Sequence, residues 1–225
     1  MSPIKPRIAI LISGRGSNMQ AIVNACERGD INAEIVCVLS NKASAAGLTF
    51  AKERGIPALT ISHRDYDSRE AFDAAMNTAL DAYRPDWLVM AGFMRILTPV
   101  FIDHFAGRIV NIHPSLLPKY PGLHTHQRAL DAGDAEAGAS VHLVTVELDS
   151  GPVLLQGVVD VQAGDDAENL ADRVLGAEHV IYPQAVKWLT DGSLTVDAQR
   201  CAFRGSEIVK PGRWYNGCLI EPETN

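Results

Sequence analysis

Five short apolar runs, each followed by a stretch with helical spacing or a change of composition, constrain this chain more than any other feature. They are Arg7 to Ile12, Glu34 to Leu39, Ala58 to Ile61, Trp87 to Ala91 and Ile109 to Ile112, near the usual strand length of about five residues. Between them, Asn18 to Arg28 closes with Gly29, Ala45 to Arg54 closes with Gly55, and Arg69 to Tyr83 follows Asp67-Ser68 and stops before Pro85. Capping residues at the start and glycine at the end mark these as helices. Thr98-Pro99 supplies an N-cap and a first-turn proline for a further short helix ending near Phe105. Such alternation predicts an α/β, Rossmann-like fold, a mostly parallel sheet with helices on both faces. Ligands are then expected beyond the carboxyl ends of the strands.

After Ile112 the pattern changes. A loop rich in Pro, Gly and His runs from Pro114 to His124; its few apolar anchors suggest mobility. Val141 to Val146 and Val153 to Val161 read as strands joined through Asp149-Ser150-Gly151-Pro152, and an amphipathic helix is expected from about Asn169 to Leu189. The segment from Asp191 is polar, with Gly192, Gly205, Gly212 and Gly217, and reads as an antiparallel extension: a hairpin and a loose tail. Neither an internal repeat nor a low-complexity linker interrupts the chain. Residues 1–190 are expected to form one domain, with 191–225 belonging to it.

Charge narrows the partners. With a formal net charge of -7 over 225 residues, the chain is poorly suited to neutralising a nucleic-acid backbone. Its 47% hydrophobic content includes no apolar run long enough to cross a bilayer. Cys26, Cys37, Cys201 and Cys218 form no close pair, and no signal-like segment opens the chain. A reducing, cytoplasmic setting without membrane contact is expected.

Three stretches could carry chemistry. Ser13-Gly14-Arg15-Gly16-Ser17-Asn18 follows the first strand and opens the first helix, where backbone N–H groups and the helix dipole favour an anion. A dinucleotide fingerprint would place a third glycine at Met19 and an acidic residue where Ser40-Asn41 stands. A phosphomonoester therefore fits better, against the bland alternative of a tight turn with no ligand. Asn111 and His113 share one face at the end of the fifth strand, a carboxamide donor beside an imidazole. A lone histidine is as often a hydrogen-bonded structural residue. Asp149 in the Glu147 to Pro152 stretch is an ordinary turn former unless it reaches His113, whose charged ring it would then orient.

Taken with Met94-Arg95-Ile96-Leu97, with Asn111 to Pro118 and with Leu148-Asp149-Ser150-Gly151-Pro152, the loop at Ser13 to Asn18 resembles the folate-dependent formyltransferase family. The similarity runs from about Arg7 to Leu189, and order and spacing carry it more than any single motif. It implies an enzyme of purine biosynthesis and one-carbon metabolism that moves the formyl group of 10-formyltetrahydrofolate, a co-substrate, to the amine of glycinamide ribonucleotide. The family's catalytic positions fall on Asn111, His113 and Asp149. Its substrate-binding positions fall on Gly16, Ser17, Asn18 and Glu178, and its folate-binding positions on Arg69, Met94, Arg95, Ile96, Leu97, Val144 and Asp149. Without the resemblance, Met94, Ile96 and Leu97 read as core residues before a helix. Val146 departs from the family where a polar residue is common. No metal is implied, and His124-Thr125-His126 reads as part of a substrate-flanking loop. The expected partners are the two small molecules and a second copy of the chain in a homodimer.

The alternatives are a formyltetrahydrofolate hydrolase and a non-catalytic nucleotide-binding module. The family's hydrolases usually carry an additional N-terminal domain, whereas the first strand here begins at about Arg7. A binding module would explain Gly14 and Gly16 but leave Asn111, His113 and Asp149 without a purpose.

Overall fold

The computed structural model describes residues 5–197 and 200–225, and the chain divides into two units, Met1–Val110 and Asn111–Asn225. The first unit holds β1 (Arg7–Ile12), α1 (Ser17–Arg28), β2 (Glu34–Ser40), α2 (Ala46–Glu53), β3 (Ala58–Thr60), α3 (Arg69–Asp81), β4 (Trp87–Met90) and α4 (Pro99–His104). Its strands run parallel in the order β4-β1-β2-β3. Ile8 through Ile12 are wholly buried, so β1 reads as a continuous apolar run rather than an alternating one, as expected for a strand covered on both faces.

The order reverses beside β1: β2 and β3 extend one way, and β4 returns to the other side. Right-handed crossovers then put α1 and α2 on one face and α3 and α4 on the other, and α1 does pack against α2, and α3 against α4. That reversal opens a crevice at the carboxyl ends of β1 and β4, from which the stretches at Ser13 and Gly92 emerge. Ser68 caps α3 by accepting from the Ala71 amide at 3.0 Å. Asp73, buried on α3, holds the start of α4 by accepting from the Thr98 amide at 2.6 Å and its hydroxyl at 2.7 Å.

β5 (Ile109–His113) ends the first unit and begins the second. The second unit continues with α5 (Thr125–Asp131), β6 (Glu136–Leu143), β7 (Val153–Asp160) and α6 (Ala167–Thr190). β6 and β7 pair antiparallel, and α6 packs on both. Asp166 caps α6 by accepting from the amides of Glu168 and Asn169.

Three sequence expectations need correcting here. The strand expected over Val141 to Val146 lies at Glu136–Leu143. Its Gly138, Ala139 and Ser140 lack the bulk that marks a strand, but at Gly138 a side chain would collide with the Gly157 carbonyl of β7. Thr125 and His126, expected in a substrate-flanking loop, instead open the helix α5. Finally, the segment after Asp191 is not a loose tail. It forms β8 (Leu194–Asp197), β9 (Arg200–Phe203), β10 (Ser206–Lys210), β11 (Gly212–Tyr215), β12 (Cys218–Ile220) and β13 (Glu223–Thr224). β8, β9, β10 and β13 make a four-stranded antiparallel sheet, while β11 pairs parallel with β7 and antiparallel with β12. An edge contact between Trp188 of α6 and Phe203, with ring centroids 5.0 Å apart, anchors this sheet. Among the described residues, no helix is long and apolar enough to cross a membrane.

Candidate active site

In the second unit His113 of β5 meets Asp149, the aspartate after β6, and Asn111 of β5 joins them only through His142. His113 is buried, with Nε2 2.9 Å from the Tyr120 carbonyl and Nδ1 3.4 Å from Asp149 Oδ2. Both ring nitrogens thus face oxygen acceptors, and only the doubly protonated ring can serve both as a donor. The carboxylate also accepts from the Gly122 amide at 2.9 Å. Asp149 occupies left-handed backbone (φ 51°). Two residues later, Gly151 lies so close to the Leu143 carbonyl that no side chain fits, and the Leu143 amide donates to the Pro152 carbonyl at 3.0 Å. This closure pins the 144–152 turn and, with it, the carboxylate.

Asn111 contacts a residue that the sequence reading missed. Its Nδ2 lies 3.2 Å from His142 Nε2, and His142 Nδ1 lies 2.8 Å from the Leu143 carbonyl. The His142 ring is almost fully buried, which pushes its pKa below the ordinary histidine value of 6.5; the hydrogen bond to the Leu143 carbonyl, and after it Asp149, with Oδ1 3.8 Å from Nε2, oppose that shift without overcoming it. The signal available in the sequence was the alternation of Ser140 and His142, two polar side chains in a strand that is apolar from Ala137 onward apart from them.

Ser140 explains why the stretch after His113 holds its shape despite its prolines and glycines. Its hydroxyl donates to the Ser115 carbonyl at 2.7 Å and accepts from the Leu117 amide and from Gln156 Nε2. Ser115 Oγ in turn donates to the Lys119 carbonyl at 2.6 Å. These bonds fix the turn that delivers Tyr120 O to His113. His124 and His126 sit at the start of α5, and His126 has its pKa lowered by burial and then by His113. Among the described residues, no group of three or more His, Cys, Asp or Glu is arranged to hold a metal ion. Glu178 is buried on α6, and Val144 is partly exposed just beyond β6.

In the first unit the loop after β1 is held from several sides. The Ser13 amide donates to the Gly92 carbonyl at 3.1 Å, Ser13 Oγ donates to Asn41 Oδ1 at 2.6 Å, and the Met94 amide donates to Ser13 Oγ at 2.8 Å. Gly16 takes the N-cap of α1 in left-handed backbone (φ 70°), offers no side-chain cap, and is followed by a first turn with no acidic residue. The positive end of this helix is therefore not neutralised by its own sequence. Ser17 is partly exposed and Asn18 buried. Past β4, Met94 and Ile96 are 65% and 57% exposed, which separates them from core residues; Leu97 is buried. Arg95 is partly exposed, and Arg69 stands exposed at the first turn of α3.

The sequence pattern of the formyl transferase family matches residues 6–186. The chain belongs to that family. Among formyl transferases it is 50% identical to the phosphoribosylglycinamide formyltransferase of Escherichia coli over 205 residues, 91% of this chain and 97% of that one. The Haemophilus influenzae protein of the same name is 45% identical over 206 residues, with 92% and 97% covered. The phosphoribosylglycinamide formyltransferase of Coxiella burnetii, solved in complex with CHES, shares the fold with a TM-score of 0.87 at 43% identity, covering 92% of this chain and 97% of that one.

Proposed function

We propose that this protein transfers the formyl group of 10-formyltetrahydrofolate to the amine of glycinamide ribonucleotide, a step of purine biosynthesis. Similarity to phosphoribosylglycinamide formyltransferases along nearly the whole chain carries this reading. The protein is an enzyme of the formyl-transferring class, and we place its work in the cytoplasm, as a homodimer acting on two small molecules.

In this reading the substrate amine attacks the formyl carbon, a new C–N bond forms, and the carbonyl oxygen becomes an oxyanion. Collapse of the tetrahedral intermediate breaks the bond to N10 of the folate, and the proton lost by the amine is delivered to that nitrogen. Asn111 Nδ2 and a charged His113 are the donors for the oxyanion. Asp149 balances the imidazolium and helps to pass the proton. In this structure the His113 Nε2–H points at the Tyr120 carbonyl, so that bond must yield before the ring can serve a ligand.

The substrate's phosphate is assigned to the amides and side chains of Gly16, Ser17 and Asn18, with Glu178 contacting the acceptor. For the folate, the first unit offers an apolar surface at Met94 and Ile96, with Leu97 beside them, and the cations Arg95 and Arg69; the second unit offers Val144 and Asp149. Exposed apolar side chains suit a flat ring system, and an exposed arginine suits an acidic tail.

The test is an assay of tetrahydrofolate release from 10-formyltetrahydrofolate with and without glycinamide ribonucleotide. Release is expected only when the acceptor is present, with one formylated product per turnover. Equal release without acceptor would assign the chain to hydrolysis instead.

A further inference from the structure

We propose that His142 is a positioning residue that fixes which way the Asn111 carboxamide faces, and so decides whether Asn111 can act as an oxyanion donor. The argument starts at the far side of the ring. The Leu143 carbonyl can only accept, so His142 Nδ1, 2.8 Å away, must carry the hydrogen. A neutral ring with its proton on Nδ1 has a lone pair on Nε2. Asn111 must then turn its NH2 group, not its carbonyl, toward that lone pair, as the 3.2 Å approach of Nδ2 shows. One N–H of Asn111 is used here and the second is left for a ligand. If Nε2 carried a proton instead, it would face the NH2 group donor to donor; the carboxamide would flip, and the ligand would meet an oxygen lone pair.

Burial keeps the ring neutral, because the desolvation penalty falls on the charged form and is the largest influence on His142. The charged or titratable groups facing the ring are Asp149, whose Oδ1 at 3.8 Å is beyond hydrogen-bond range of Nε2, and His113, whose charge further disfavours a second imidazolium. One local bond to a main-chain carbonyl, within the same strand end, thus sets the orientation of a donor on β5.

This inference rests on Asn111 acting as an oxyanion donor, and the tests separate the two claims. Nitrogen-resolved NMR of the His142 ring in the wild-type protein should show a protonated Nδ1 and a bare Nε2 at neutral pH. A ring with its proton on Nε2, or an imidazolium, overturns the proposal whatever the kinetics. His142→Leu should lower kcat by roughly 10- to 100-fold while each KM stays within about threefold, because an interaction made in the transition state is lost. In an Asn111→Ala background the same substitution should cost almost nothing more. His142→Gln, whose side-chain oxygen can take the Nε2 acceptor position, should recover about tenfold over His142→Leu. Multiplicative losses in the double variant, or a glutamine no better than leucine in a folded protein, would overturn the positioning role. Full kcat in Asn111→Ala would remove the donor assignment and the proposal with it, while leaving the observed tautomer intact.

Discussion

The loop at Ser13 to Asn18 and the cluster around His113 both hold unusual backbone, but they do so differently. The loop turns at Gly16, where left-handed φ costs little because there is no Cβ. The cluster turns at Tyr120 (φ 56°), His124 (φ 59°) and Asp149 (φ 51°), non-glycine residues in a region that costs on the order of 1–3 kcal/mol each. The loop leaves its helix-start N–H groups without a side-chain cap, as the proposed phosphate site requires, and needs no side chain at the turn. The cluster needs a carboxylate and an imidazole at defined points, so it keeps the side chains, and hydrogen bonds such as Gly122 N to Asp149 offset the strain. A turn that offers only backbone and a turn that must present side chains thus follow different backbone rules.

The largest effects should come from the cluster. His113→Ala and Asp149→Asn are expected to lower kcat by about 100- to 10,000-fold with little change in KM, since each removes a group acting on the transition state. Steady-state kinetics with circular dichroism checks this; near-normal turnover in a folded variant would take that residue out of the mechanism.

The loop should answer in affinity instead. A substrate without its phosphate is expected to bind on the order of 100-fold more weakly, the worth of one or two charge-assisted hydrogen bonds. Calorimetry that finds equal affinity would end the phosphate assignment. Gly16→Ala should raise KM for glycinamide ribonucleotide by roughly tenfold with kcat retained, because the left-handed turn strains by about 1–2 kcal/mol once a Cβ is present.

The smallest expected effect separates the two regions by pH. Burial holds His142, His126 and His179 below the ordinary histidine value of 6.5. Below that value the unfolded chain binds more protons than the folded one. Stability should therefore be unaffected by these rings above about pH 7 and fall as pH drops through 6.5 and below. Thermal midpoints measured from pH 7.5 to 5.5 should show a decline of a few degrees, shallower in His142→Gln and unchanged in slope in Gly16→Ala. An equal slope in all three proteins would mean that His142 is not held neutral by burial.

The sequence by itself determined the strand and helix alternation of residues 7–113 because each element there is specified locally. Apolar runs of strand length, Ser68 ahead of α3 and Gly29 after α1 are short-range signals, and β1 through β5 fall within a residue or so of where those signals put them. Through its resemblance to the formyltransferase family it also pointed to Asn111, His113 and Asp149. Tertiary structure alone decided the rest, because the deciding contacts join residues far apart in the chain. Asp149 reaches His113 across 36 positions only because Gly151 lets the turn close on Leu143. β6 starts at Glu136, among small residues, because Gly138 meets the backbone of β7, and β11 finds an ordered place because β7 has an edge to pair with. His142 carries no motif of its own; its meaning arises when a main-chain carbonyl takes one ring nitrogen and Asn111 meets the other.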